Sequence, residues 1–230
     1  MMKQAEIQEV AKHTITYLES CITSGMTVSH VVKLAESYMK DQGIEGFWYY
    51  GIGAFVFAGK ETILSISGKA YTSTNTVIKE DDVITIDLSP ECRGIWGDYA
   101  RTIIIENGIV KKAIAQIENE EFREGLSTEE ALHKKLIELA TPEMTFHEVY
   151  DLMNGYLVQW GYENLDFAGN LGHSIEQVKS DRIYIEKGNH TRLSDKKYFT
   201  FEPHIRRKGS QYGFKMEDIY YFEGLKLKAL

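Results

Sequence analysis

The chain has 230 residues, 43% hydrophobic and 26% charged, enough material for a sizeable core. A formal net charge of −8 argues against nucleic-acid and anionic-membrane surfaces. Two cysteines, Cys21 and Cys92, supply neither a disulfide framework nor a metal-thiolate spacing, and no stretch is long and apolar enough to read as a membrane span. The polar, periodic N-terminus lacks the apolar centre of a signal peptide, so a cytoplasmic location is expected.

In chain order, Ile7, Val10, Ala11, Thr14, Tyr17 and Leu18 recur at helical spacing, giving a short N-terminal helix over about 3–24. A second helix begins at the N-cap Thr27, carries Val31, Leu34, Ala35 and Tyr38, and ends before Gly43. From Phe47 to Asp87 the runs GIGAFVFAG, TILSISG and DDVITIDL read as strands. Further helices are predicted at about Val110–Asn119, Thr128–Ala140 and Thr145–Trp160, and strands and loops return from Leu165.

This order contains a repeat. The segment from Met26 aligns without gaps on the segment from Met144, matching Met, Thr, Val, Leu, Tyr and Gly at an offset of 118 residues. In the second copy Thr145 and Glu148 have the spacing of a capping box.

Four carboxylates follow the same duplication. Asp87 lies in the apolar run VITIDL, and Asp98 follows Gly97 on the return run. A hairpin centred at Cys92–Arg93 would set them opposite one another. Glu202 and Glu217 repeat the arrangement about Gly209–Ser210. Like charges facing across paired strands repel, and buried carboxylates are costly unless paired or bound to metal. Two such pairs suggest a cation between them. His173, in GNLGHSI, is the best nitrogen donor, and an imidazole among carboxylates favours a transition metal.

With these residues in view, IDLSP, GDYART, GHSI, FTFEP and MEDIYYF together resemble the pita-bread metallopeptidases, which include methionine aminopeptidase, aminopeptidase P and prolidase. The resemblance covers roughly Met26 to Phe222. It implies an α+β fold of two pseudo-twofold halves with antiparallel sheet, forming a single catalytic domain over 1–230 with no separate N-terminal domain. It also implies a site for two divalent ions (Mn, Co, Zn or Fe) held by Asp87, Asp98, His173, Glu202 and Glu217. Asp98 and Glu217 would bridge the ions, with Asp87 on one and His173 on the other, and an activated water would be the nucleophile. Glu202 would also shuttle a proton to the leaving amine.

The run Asp98-Tyr99-Ala100-Arg101-Thr102 leans toward the Xaa-Pro branch, and strand alternation places Arg101 on the opposite face as structural support. Two histidines that complete family sites are missing: Lys69 or Ala70 stands about eighteen residues before Asp87, and Ser180 stands seven residues after His173. Tyr71, Ser180 and His204 are candidate substrate-binding replacements, with Lys69 and Lys179 behind them. Of the aromatic residues Phe47, Trp48, Tyr49, Tyr50, Phe55 and Phe57, core packing is the first expectation and a pocket floor the second. His13, His30, His133 and His147 are read as solvated or capping. The expected activity is hydrolysis of a small peptide by an aminopeptidase or Xaa-Pro-type enzyme, as a monomer or homodimer. The alternatives are hydrolysis of a non-peptide amide or C–N bond, and a binding module without catalysis.

Overall fold

The computed structural model describes residues 2–230. Helices α1 (Gln4–Cys21) and α2 (Val28–Asp41) lead into strands β1 (Gly46–Phe47), β2 (Ala54–Ala58), β3 (Asp82–Leu88), β4 (Pro90–Cys92), β5 (Ile95–Trp96), β6 (Tyr99–Glu106) and β7 (Ile109–Lys111). The second half has α3 (Glu120–Leu139) and α4 (Phe146–Gln159). Its strands are β8 (Tyr162–Asn164), β9 (Phe199–Phe201), β10 (His204–Arg207), β11 (Phe214–Lys215), β12 (Asp218–Glu223) and β13 (Lys226–Ala229). All strand pairing is antiparallel.

The repeat is visible in three dimensions. Helices α2 and α4 are both 14 residues long, and their N-caps Thr27 and Thr145 accept hydrogen bonds from the amides of His30 and Glu148. Each entry is tied to a distant loop in the same way: Val28 N–H donates to the Thr76 carbonyl and Phe146 N–H to the Thr191 carbonyl, both at 3.0 Å. Glu148 reaches back to the Thr145 amide at 2.7 Å, completing the capping box.

Each half has its own core. Ile84, Ile86, Ile103 and Ile105 of β3 and β6 pack with Ile7, Leu18, Val31 and Ala35 of α1 and α2. Val83 and Ile104, on the other face of the same strands, pack with Leu132, Leu136, Val149, Met153, Phe199 and Phe201. Both faces of this sheet are therefore covered, which explains why its strands read as nearly continuous apolar runs.

Three sequence expectations are corrected. No α-helix covers Val110–Asn119, which holds only the end of β7 and a three-residue 3-10 turn, Ile114–Gln116: Asn107 and Gly108 both have positive φ (54° and 75°), forming the tight turn that folds β7 back on β6. The helix predicted from Thr128 starts at Glu120 with Asn119 as its side-chain cap. TILSISG is not a strand. Its first two residues end a 3-10 turn, Gly59–Ile63, fixed by Thr62 Oγ1 donating to the Gly59 carbonyl at 2.6 Å, and the rest is irregular.

Candidate metal centre

The strand register assembles one row of side chains across both halves. Asp87 of β3 faces Ala100 of β6, and Ala100 in turn pairs with Glu217 just before β12. Beyond Glu217, Asp218 pairs with Phe201 on one side of the acidic position, and Lys215 with His204 on the other, so Glu217 and Glu202 are opposed as expected. The first hairpin differs from expectation. Its turn is at Arg93–Gly94, both with positive φ, and Asp87 faces Ala100 instead of Asp98. Asp98 lies two residues along, in the irregular link between β5 and β6.

Asp98 is nevertheless firmly placed. The Gln8 side-chain amide donates to the Asp98 carbonyl at 2.7 Å and accepts from its backbone N–H at 3.2 Å. Helix α1 thus pins this ligand position from the N-terminal end of the chain. His173 is set by Gly172, whose φ of 145° lies in the glycine-favoured region and whose added Cβ would meet the Thr200 carbonyl oxygen at 2.3 Å. That close approach lets His173 N–H donate to Thr200 Oγ1 at 3.0 Å and Thr200 N–H donate to the His173 carbonyl at 2.7 Å.

Asp98, His173 and Glu217 are buried together, and one ligand atom from each lies within 4.8 Å of the others. His173 Nε2 is 3.3 Å from Asp98 Oδ2 and 3.7 Å from Glu202 Oε1. His173 Nδ1 donates to the Ser174 carbonyl at 3.1 Å, which fixes the ring so that Nε2 is turned into the site. Both Glu217 carboxylate oxygens are buried without any hydrogen-bond partner among the described residues. A wholly buried carboxylate with no donor is destabilising as it stands. A divalent cation would satisfy it, so these residues fit a metal.

The electrostatics agree. Burial, then the hydrogen bond from His173 opposing it and the neighbouring Asp87 and Glu202 charges reinforcing it, leave the Asp98 carboxyl pushed up to about 7. Glu217 is raised well above the usual carboxylate range, first by burial and then by Asp98, Glu202 and Asp87. Burial alone would lower the His173 imidazole, but its contact with Asp98 and the charge of Glu202 outweigh that and raise it. These carboxylates repel one another, which a divalent cation held between them would relieve.

Asp87 and Glu202, with side chains 22% and 19% exposed, face a cavity of about 310 Å³. Trp48, Tyr49, Phe55 and Phe57 line it, so much of the aromatic segment walls the pocket, whereas Phe47 packs against the first core. Trp48 stacks on Trp96 with ring centroids 4.3 Å apart and meets the His173 ring edge-on at 5.8 Å.

Of the substrate-site candidates, His204 lines the cavity, with Nε2 donating to the Thr62 carbonyl at 2.7 Å. Tyr71 lies behind the wall, its hydroxyl engaged with the Val56 backbone and its ring against Phe55 and Phe57. Ser180 is exposed, with Oγ toward Asp181, and does not line the cavity. Lys179 pairs with Glu91 at 2.5 Å. Arg101 faces away from the site, as alternation predicts, and forms a two-pronged pair with Asp218 at 2.9 Å. His133 corrects its solvated reading: it is 3% exposed, with Nδ1 on the Tyr220 hydroxyl at 2.8 Å and Nε2 donating to the Met216 carbonyl at 3.1 Å.

Two cationic cavity residues escaped the sequence reading. Arg182 lies with its guanidinium 4.6 Å from the Trp48 ring centroid. Lys215 projects among the carboxylates, its Nζ 2.5 Å from Asp87 Oδ2 and 3.4 Å from Glu202 Oε2. Its signal was present in FKMEDIYYF, because a residue two before Glu217 shares its face of a strand.

The sequence profile of metallopeptidase family M24 matches residues 2–223. No curated protein matches the chain in sequence. Among solved structures, the chain is similar to an X-Pro aminopeptidase from Thermotoga maritima (19% identity, TM-score 0.79, 97% of this chain and 58% of that one). It is equally similar to prolidase from Pyrococcus furiosus (22%, TM-score 0.79, 97% and 61%). A methionine aminopeptidase from Thermotoga maritima matches at 15% identity and TM-score 0.74, over 97% of this chain and 93% of that one. The chain thus spans less than two thirds of the length of the first two. The common architecture is the duplicated α+β pita-bread fold expected from the sequence. Matched by the profile over nearly its whole length, the chain belongs to metallopeptidase family M24.

Proposed function

We propose that this chain is a metal-dependent peptidase of the aminopeptidase or Xaa-Pro type, with Asp87, Asp98, His173, Glu202 and Glu217 as ligands for two divalent ions. The observation that carries the reading is Glu217, both of whose buried oxygens lack a hydrogen-bond partner among the described residues, beside His173 Nε2 on one side of an aromatic-walled cavity. Carboxylates with one imidazole suit Mn, Fe, Co or Zn. Such ions supply Lewis acidity and make a water easier to deprotonate at neutral pH.

The chain's own residues do the rest. Glu202, part-exposed at the cavity edge and 3.7 Å from His173, is placed to hold a proton taken from water and deliver it to the departing amine. His204, lowered to about 4 by burial and by the neighbouring Lys215, is neutral, and its Nε2–H is committed to Thr62. Its Nδ1 is left as an acceptor for a substrate N–H. Trp48, Tyr49, Phe55 and Phe57 exclude water and favour a small apolar side chain or a proline ring.

The test is a panel of dipeptides, Xaa-Pro peptides and N-terminal Met peptides, incubated with protein loaded with Mn, Co, Zn or Fe. Cleavage that falls about 100-fold or more in Glu202→Gln supports the reading, as expected for loss of a general base. Metal-loaded protein that leaves every peptide intact overturns it. Turnover of a non-peptide amide by that same protein would then establish the broader hydrolase reading.

A further inference from the structure

The five acidic and imidazole groups do not form one uniform cluster. Asp98, His173 and Glu217 are sealed, at 4%, 5% and 0% exposure, and already converge within 4.8 Å. Asp87 and Glu202 lie toward the cavity, and between them sits an ammonium group. We propose that Lys215 is a built-in counter-cation for Asp87 and Glu202. The site then takes one divalent ion at Asp98, His173 and Glu217, and admits a second only by displacing the lysine. This deepens the metal-dependent reading above and rests on it.

The geometry follows from the register. Lys215 is two positions before Glu217, so the lysine stands in the adjacent row on the same face. That row runs Thr85, Thr102, Lys215, His204: Thr85 pairs with Thr102, and Lys215 with His204. Thr102 joins the halves, since Lys215 N–H donates to Thr102 Oγ1 at 2.8 Å and that hydroxyl donates to the Lys215 carbonyl at 2.9 Å. The lysine backbone is therefore fixed next to the acidic row, and its four-carbon stem reaches across to Asp87 and Glu202.

The side chain is only 18% exposed. Its ammonium is compensated there by two carboxylates, Asp87 at 2.5 Å and Glu202 at 3.4 Å. An ammonium and a divalent ion cannot share two carboxylates at these distances without strong repulsion in a poorly solvated site. Asp98, His173 and Glu217 meet no such competitor, because the ammonium contacts only Asp87 and Glu202 within 4.0 Å. Lys215 thus makes the two ion positions unequal. The flexible stem also gives the displaced ammonium somewhere to go, out along the open cavity.

The test is calorimetric titration of metal-free protein with Mn²⁺, together with electron paramagnetic resonance, which distinguishes one bound Mn²⁺ from a spin-coupled pair. The wild type is expected to bind one ion tightly and a second at least about 100-fold more weakly. Lys215→Met should tighten the second step at least tenfold and bring in the coupled-pair spectrum at lower Mn²⁺. Lys215→Arg, which keeps the charge, should leave the second step weak and covers the case in which the methionine variant does not fold. Two equal ions in the wild type, or a second step unchanged in Lys215→Met, overturns the proposal while leaving the metal reading intact. So does a second step that tightens equally in Lys215→Arg. No Mn²⁺ bound by any of the three proteins overturns the metal reading itself.

Discussion

Ala100 and Glu217 are joined through both backbone groups: Ala100 N–H donates to the Glu217 carbonyl at 3.4 Å, and Glu217 N–H donates to the Ala100 carbonyl at 3.0 Å. This pair stitches the strand system of the first half to that of the second. It also puts the smallest chiral side chain in the middle of the acidic row, with Asp87 on one side and Glu217 on the other. Ala100 is fully buried, so its methyl group has little room to grow between these two proposed ligands.

Enlarging that position should therefore be costly twice. Ala100→Val is expected to lower stability by about 1–3 kcal/mol through overpacking. It should also weaken binding of the second Mn²⁺, because Ala100 lies between Asp87 and Glu217 and a larger side chain there drives them apart. Urea denaturation and calorimetric titration check the two parts separately.

Gly125 sets propensity against packing. In an exposed helix, Gly→Ala stabilises by roughly 1 kcal/mol. In α3, however, a Cβ at Gly125 would lie 2.2 Å from the buried Phe214 ring, which belongs to the strand carrying Lys215. Packing wins, and Gly125→Ala should destabilise by about 1–3 kcal/mol in urea denaturation.

His133 predicts an acid limb. Burial, with Asp218 opposing, lowers its pKa from 6.5 to about 4. A depressed pKa means that the folded state holds the neutral ring while the unfolded chain takes up a proton. Stability from this group is full above pH 6.5 and is lost as pH falls through 4. The loss amounts to roughly 3 kcal/mol. His133→Gln should flatten the stability–pH curve over this window, measured as urea midpoints at pH 7 and pH 4.

Glu129 has the opposite sign. Both its oxygens are buried without hydrogen-bond partners among the described residues, and burial raises its pKa well above 4.5, with Lys215 and Arg101 only partly offsetting this. The folded state keeps the carboxyl protonated, so the group favours folding below pH 4.5 and is increasingly unfavourable as pH rises toward its folded pKa. Glu129→Gln removes that dependence. It should be more stable than the wild type at pH 8 and closest to it near pH 4, and unfolding curves at both values check this.

What was legible in the sequence was local or repeated. Thr27 and Thr145 announce helices α2 and α4 because a hydroxyl cap and an apolar stripe act within a few residues. The facing of Glu202 and Glu217 was correct because the register runs unbroken on both sides of them. Asp87 and Asp98 were misaligned because Asp98 lies outside the ladder, held by Gln8 ninety residues away, and alternation carries no information about such a contact. His133 was missed for a related reason. A polar residue on a helix is read as solvated unless a partner is known, and Tyr220 is 87 residues distant. Lys215 was legible from its spacing to Glu217, but a lysine beside an acidic residue is ordinarily taken for a surface charge.

The clamp from Gln8 to Asp98 has one more consequence. Asp87 and Asp98 come from the first half of the chain, while His173, Glu202 and Glu217 come from the second, so neither half holds the whole of the proposed ligand set. Any ion that needs Asp98 and His173 together binds only chains whose halves have docked with α1 in place. Its binding energy adds directly to that docked state by mass action. Metal content would then serve as a sensor of correct assembly, and a chain that folds in halves without joining them would stay empty.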